Sequence, residues 1–170
     1  MVKNTFIIRA SVNTGKAGNY AETEIDLGSY TNLGSSKPEV LRIHNVLAGI
    51  TDGAGQVPAM TSNTAASLAW QLTTQSQTAE IDPTDDSWLS GGRAGVRNPD
   101  GATNPPSQAF EEAILAQDLT AGQIVAVPTL FLGGNGPNEF AEDVYYTVLL
   151  ECSTEAMSKA AAVSLAVSQQ

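Results

Sequence analysis

The sequence is poor in the residues that site chemistry depends on. It holds one cysteine, Cys152, and one histidine, His44. A lone cysteine excludes an intrachain disulfide and a thiolate metal cluster, and at the end of an apolar run Cys152 reads as a small buried hydrophobe. A lone histidine means that any acid–base triad or imidazole metal site must pass through His44. It stands between Ile43 and Asn45 in an alternating segment, with no serine nucleophile motif in the chain, and reads as a half-exposed strand residue. Charge is sparse as well: 15% of residues are charged, with 8 basic against 18 acidic, for a net charge of −10. No cluster of Lys or Arg occurs, which argues against direct binding of nucleic acid, because phosphate neutralisation needs a basic patch or arm.

Long apolar runs are also missing. Nothing approaches the roughly 18 apolar residues of a spanning helix, and the first residues lack the basic and apolar regions of a signal peptide. The expectation is a chain made and kept in the cytoplasm until assembly. The only Gly-Lys pair, Gly15-Lys16, has Ala10 and Ala17 where a phosphate-binding loop needs Gly and Ser or Thr. The glycine clusters at 91–95 and 133–136 lack the strand-then-helix frame of a dinucleotide site. Asp82, Asp85, Asp86 and Asp100 offer oxygen ligands for a hard cation, yet the spacing of a calcium loop is absent and they read as solvated turn carboxylates. Glu111 and Glu112 are adjacent, have no marked glycosidase partner, and read as acids at the start of a helix. No catalytic, cofactor-binding or metal-ligating set emerges, so the expectation is a protein that is not an enzyme.

What the sequence does contain is a strand pattern in a chain of 170 residues, 42% of them hydrophobic. That length fits one domain, 1–170, with a sizeable core. The segment 143–151 is rich in β-branched and aromatic residues and has no Gly or Pro. It sets Val144, Tyr146, Val148 and Leu150 on one face and Tyr145, Thr147 and Leu149 on the other, as expected of a central strand with protein against both faces. Residues 4–13 alternate through Phe6, Ile8, Ala10 and Val12, and with 20–27 they read as a hairpin. In 39–50, Leu41, Ile43 and Asn45 oppose Val40, Arg42, His44 and Val46, with a slip near Leu47 that predicts a bulge or bend. Leu68, Trp70 and Leu72 recur at spacing two in 64–75. The strand at 122–132 is interrupted by Pro128, and 133–137 reads as a tight turn.

Three regions read differently. Pro and Gly over 78–107 predict a long irregular excursion, in which Trp88 and Leu89 either tuck the loop onto the sandwich or meet a neighbour. Residues 107–117 allow a single helical turn or a short strand at 113–116. Beyond Cys152, Ser153 or Thr154 is a possible N-cap for an alanine-rich helix followed by an extended tail. Trp70 and Trp88 also allow a non-catalytic carbohydrate or adhesin module, although the alternation of Trp70 with Leu68 and Leu72 places it in the core.

The layout resembles the small single jelly-roll major capsid proteins of icosahedral viruses. The resemblance lies in the opening strand, the segment Glu39-Val-Leu-Arg-Ile-His-Asn-Val, the long excursion, the ending at 143–151 and the tail Ser164-Leu-Ala-Val-Ser-Gln-Gln. It implies an all-β, single jelly-roll antiparallel sandwich of eight strands, with a long loop excursion and a short C-terminal helix or tail over 153–170. Six or seven strands are legible, so one more is expected within 78–117. It further implies a structural virion protein without a cofactor, packing against itself or a second capsid subunit. The missing basic arm is similar to shells of DNA viruses, archaeal or bacterial, in which a membrane or another protein separates shell from genome. An underlying membrane and minor capsid proteins are then further partners. Trp88, Leu89, Met157, Leu165 and Val167 are the candidate interface residues.

Overall fold

The computed structural model describes residues 4–170, with side chains throughout except at residues 108–110. Among these residues the chain forms strands β1 (Phe6–Gly15), β2 (Asn19–Asp26), β3 (Glu39–Thr51), β4 (Thr64–Thr73), β5 (Trp88–Asn98), β6 (Gln108–Ile114), β7 (Gln123–Val125), β8 (Thr129–Gly136) and β9 (Val144–Ala156), then helix α1 (Lys159–Ser168). A four-stranded sheet has the order β1-β9-β3-β7 and a five-stranded sheet the order β2-β8-β4-β5-β6. Every pairing is antiparallel. Setting aside the edge strand β6 leaves eight strands in two sheets of four, with β1 to β4 entering the two sheets alternately. That is the strand order of a jelly roll. No helix among the described residues is long and apolar enough to cross a membrane.

The central strand is longer than its sequence pattern. β9 lies between β1 and β3, and its inward residues Val144, Tyr146, Val148, Leu150 and Cys152 are at most 1% exposed. Tyr145, Thr147 and Leu149 are half-exposed on the other side, so β9 is buried on one face and not on both. Pairing with β3 carries the strand past the expected helix start, through Arg42↔Ser153 to Glu39↔Ala156. The ladder outcompetes local helix propensity there, because each paired residue satisfies its backbone groups against a strand already in place. Helix α1 begins only after Ser158, whose side chain accepts from the N–H of Ala161. It runs almost to the last residue, so no extended tail follows it.

In β3 the expected slip is a bulge, but it lies earlier than Leu47. Ile43 pairs with Cys152 and Asn45 with Glu151, leaving His44 as the extra residue. A single extra residue reverses the side-chain phase. Leu41 and Ile43 face the core before the bulge, and Val46, not Asn45, is buried after it.

The stretch 78–107 is not one continuous loop. β5 occupies its middle and supplies the strand expected there, with β6 as a further one beside it, so that two shorter loops, 74–87 and 99–107, remain. Residues 107–117 resolve into β6 and a 3₁₀ turn at Ala116–Asp118. The glycines read as turns at 91–95 and 133–136 lie inside β5 and β8, and the reason is aromatic packing. Trp70 is paired between Gly92 and Gly134, and Gln71 between Gly91 and Gly133. A Cβ on Gly92 would sit 2.6 Å from the indole nitrogen of Trp70, and one on Gly134 would sit 2.7 Å from the Ala69 carbonyl oxygen and 2.8 Å from the Tyr146 ring.

Gly134→Ala should therefore lower the unfolding free energy by about 1–3 kcal/mol, as overpacking typically does. Gly95→Ala, where a Cβ meets nothing within 4 Å, is the control. Equal denaturant midpoints for the two variants would contradict the packing argument.

Candidate functional site

The sandwich is closed on one side and open on the other. β7 pairs only with Leu41, Arg42 and Ile43, so beyond the His44 bulge the far edge of β3 meets no strand among the described residues. One side chain covers part of that edge. The Gln117 amide oxygen accepts from the Val46 N–H at 2.9 Å, and its nitrogen donates to the Val46 carbonyl at 2.9 Å. This single amide stands in for one residue of a missing strand. Past it, a cleft of about 490 Å³ opens between β3 and the β4–β6 side of the other sheet. Ala48, Ile50, Leu68, Trp70, Ala94 and Phe140 are among its walls, and Glu111 lies on its rim.

The outer faces carry apolar residues as well. Arg9, Leu149 and Leu47 stand in one cross-strand row over β1, β9 and β3. Leu47 is 60% exposed, and Ile7, in the next row on the same face, is 48% exposed. Helix α1 packs Ala162 and Leu165 over Val40 and Ala126, with Met157 alongside. It turns Val163 and Val167 to solvent, Val167 at 65% exposed. Its end is latched by Gln169. That amide accepts from the Ala126 N–H at 3.0 Å and donates to the Ile124 carbonyl at 2.7 Å, while Thr74 Oγ1 donates to the Gln169 carbonyl at 2.5 Å.

Several of the polar residues singled out in the sequence are engaged in structure. His44 Nε2 is 2.8 Å from Ser153 Oγ, a contact between neighbouring strands at the bulge. Beside it, Arg42 makes a two-pronged ion pair with Glu155, both distances 2.8 Å. Asp82 accepts from the N–H and hydroxyl of Thr84, and Asp85 accepts from the N–H and hydroxyl of Ser87. These bonds hold both carboxyls below the usual aspartate range, and they cap the two turns of the 74–87 loop. Glu111 and Glu112 lie on a strand, where neighbours point to opposite faces. No group of three or more His, Cys, Asp or Glu side chains gathers among the described residues.

With the geometry in place, the chain can be set beside known proteins. No family model matches it, and no curated protein matches it. Solved structures do. The chain is similar to VP1 of Trichodysplasia spinulosa-associated polyomavirus in complex with GM1 oligosaccharide, at 8% identity and TM-score 0.45, over 90% of this chain and 96% of that one. It is similar to Merkel cell polyomavirus VP1 in complex with GD1a oligosaccharide, at 9% identity and TM-score 0.38, over 89% and 96%. Desmodium yellow mottle tymovirus matches at 12% identity and TM-score 0.37, over 92% and 89%. The jelly-roll assignment rests on the strand order of this chain itself.

Of the five residues expected at an interface, the structure exposes one. Leu89 is 5% exposed and belongs to the chain's own core, because β5 carries it into the sandwich where a loop was expected. Met157 and Leu165 are partly buried under α1. Trp88 is half-buried, its ring against Gly91, and Trp70 is 7% exposed, so neither ring offers the open face of a sugar-stacking platform. Val167 alone projects into solvent. Sequence reasoning missed Leu47, Val57 and Ile7 as exposed apolar residues, since alternation does not say which face a second layer will cover. It also missed the three glutamines, Gln71, Gln117 and Gln169. Gln71 is 2% exposed and pins the 74–87 loop, donating to Tyr20 Oη and the Ala79 carbonyl and accepting from the Ile81 N–H.

Two measurements follow. Gln169→Ala leaves the Ala126 N–H without its acceptor in a buried position, a loss of about 1–3 kcal/mol; hydrogen exchange at Ala126 should quicken, and unchanged exchange would show the latch to be dispensable. Burial pushes the Cys152 thiol up from 9.0 to about 12. A raised folded value contributes stability below the unfolded one and loses it as pH rises from 9 toward 12. Unfolding free energy should fall over that window, more shallowly in Cys152→Ala, and identical slopes would exclude the thiol as the cause.

Proposed function

We propose that this chain is a non-enzymatic structural protein that builds an icosahedral viral shell, by packing against itself or against a second capsid subunit. The observation that carries the reading is how the chain uses its residues. A jelly roll consumes nearly the whole chain, and the conspicuous polar side chains are engaged in holding it together. Among the described residues no buried side-chain nitrogen or oxygen lacks a partner. The surface also carries apolar residues: Ile7, Leu47, Val57, Val163 and Val167 are all more than 45% exposed. Such residues suit burial between subunits, where charge is depleted.

The finer reading follows from charge. With a net charge of −10 the chain is suited to a shell separated from its genome by a membrane or by other proteins, as in a DNA virus of an archaeal or bacterial host. Its place is then the virion, after synthesis in the host cytoplasm. Underlying lipid and minor capsid proteins would be neighbours. Val167 is the residue of α1 best placed for a subunit contact, and Trp88 is a second candidate beside the 74–87 loop.

The test is assembly. Purified protein, alone and with the products of adjacent genes, should form capsomers or shells by negative-stain imaging and analytical ultracentrifugation. Val167→Asp should weaken that assembly by about ten-fold or more in concentration, since an isolated charge in an apolar contact is strongly disfavoured, while leaving the unfolding midpoint unchanged. A monodisperse monomer at high concentration, in high salt and with every partner present, would refute the shell reading.

A further inference from the structure

The open side of the sandwich has the features of a seat for an extended peptide. Val46 directs both its N–H and its C=O away from β9, toward Gln117. Backbone groups along a strand alternate between its two neighbours, so Ala48 and Ile50 direct theirs to the same edge. No strand pairs with them there among the described residues. The side chains of these two residues also line the cleft. A strand added to this edge would therefore place every second side chain inside the cleft.

The charge of the cleft narrows the occupant. Glu111 pairs in register with Ala94, which is 6% exposed and faces the core, so Glu111 stands on the inner face of β6. The one ion pair among the described residues is Arg42–Glu155, which leaves Glu111 without a counter-ion there. Arg93 and Glu112 also border the cleft, and they are paired with each other in register across β5 and β6, so Glu111 is left as the excess negative charge of the lining. A largely apolar cleft whose charged lining, Glu111, Glu112 and Arg93, carries one excess negative charge suits a side chain with an apolar stem and a cationic end.

We propose that the Ala48–Ile50 edge and its cleft bind an extended segment of a partner protein, apolar at alternate positions and carrying one Lys or Arg opposite Glu111. A small apolar molecule would fill the cleft but leave the edge N–H and C=O groups unused. A second copy has few cations to set opposite Glu111, with 8 Lys and Arg against 18 Asp and Glu. The proposal goes beyond the shell reading and is independent of it: assembly and peptide binding can each fail while the other holds.

The experiment uses the whole chain and two short blocked peptides that alternate Thr with Val, one with Lys and one with Glu in place of a central Val. Trp70, in the wall of the cleft, reports binding by fluorescence, and calorimetry confirms it. The Lys peptide should bind about ten-fold or more tightly than the Glu peptide, roughly 1.4 kcal/mol, and Glu111→Lys should reverse that preference. Ala48→Pro removes an N–H that faces away from β9, a change edge strands tolerate, and should weaken binding by about ten-fold with an unchanged unfolding midpoint. Should Ala48→Pro fail to fold, the charge swap at Glu111 decides alone. No binding of either peptide, or a preference that Glu111→Lys does not alter, would overturn the proposal. Self-association abolished by Ala48→Pro without peptide would overturn it in favour of a second copy. Displacement of bound peptide by a hydrocarbon probe, with binding indifferent to Ala48→Pro, would overturn it in favour of a small apolar ligand.

Discussion

The pairing of β9 with β1 on one side and β3 on the other is the constraint on which the rest of the sandwich depends. It aligns Val144, Tyr146, Val148, Leu150 and Cys152 in one inward row, all almost completely buried. Burying a large apolar side chain contributes about 1.5–3 kcal/mol, so this one row is a substantial part of what opposes the entropy of the unfolded chain. A shift of one residue would turn the whole row to solvent, and register is fixed accordingly. Tyr146 shows how the second sheet answers the first. Its ring lies where Gly134 has no side chain, and its hydroxyl donates to the Asn135 carbonyl at 2.9 Å. Burial also raises its ionisation well above that of an ordinary tyrosine.

The bulge at His44 is the second decision, and its effects run outward to the surface. By reversing the phase of β3 it brings Val46, Ala48 and Ile50 to the inner face. β7 pairs only before the bulge, which leaves the later edge bare and the cleft open. Glutamine side chains then do locally what strands do elsewhere. Gln117 pairs with Val46 on β3, and Gln169 pairs with Ile124 on β7 and with Ala126 just past its end. An amide carries a donor and an acceptor side by side, so it can satisfy a strand edge without adding a strand. It also blunts that edge against unwanted pairing.

The surface that results is acidic at long range and apolar at short range. Net charge keeps separate copies apart in dilute solution, while Leu47, Val57 and Val167 offer area for burial once partners or screening salt bring surfaces together. That combination suits a protein whose work is association. His44, Asp82 and Asp85 have all been drawn into bonds that hold the fold.

Much of this architecture was legible in the sequence, for definite reasons. Alternation in β1, β4 and β9 showed which residues share a face, because a half-buried strand needs that period whatever surrounds it, but it left β9 expected to be buried on both faces. The single cysteine excluded an intrachain disulfide in the same way. Local pattern misled wherever a distant partner decided the outcome. Gly91-Gly92 and Gly133-Gly134 have the look of turns, and only the rings of Trp70, Tyr20 and Tyr146 across the sheet explain their place in strands. Leu89 was legible as apolar but not as core, since that depended on β5 pairing with β4. The extension of β9 to Ala156 depended on β3, and the latch of Gln169 on the position of β7. Thus the sequence by itself determined the strand period, the two faces of β9 and the acidic character of the chain, all of which are local or additive properties. Register, the open edge and the exposure of Val167 were decided only in the tertiary structure, because each depends on which segments, remote along the chain, lie side by side.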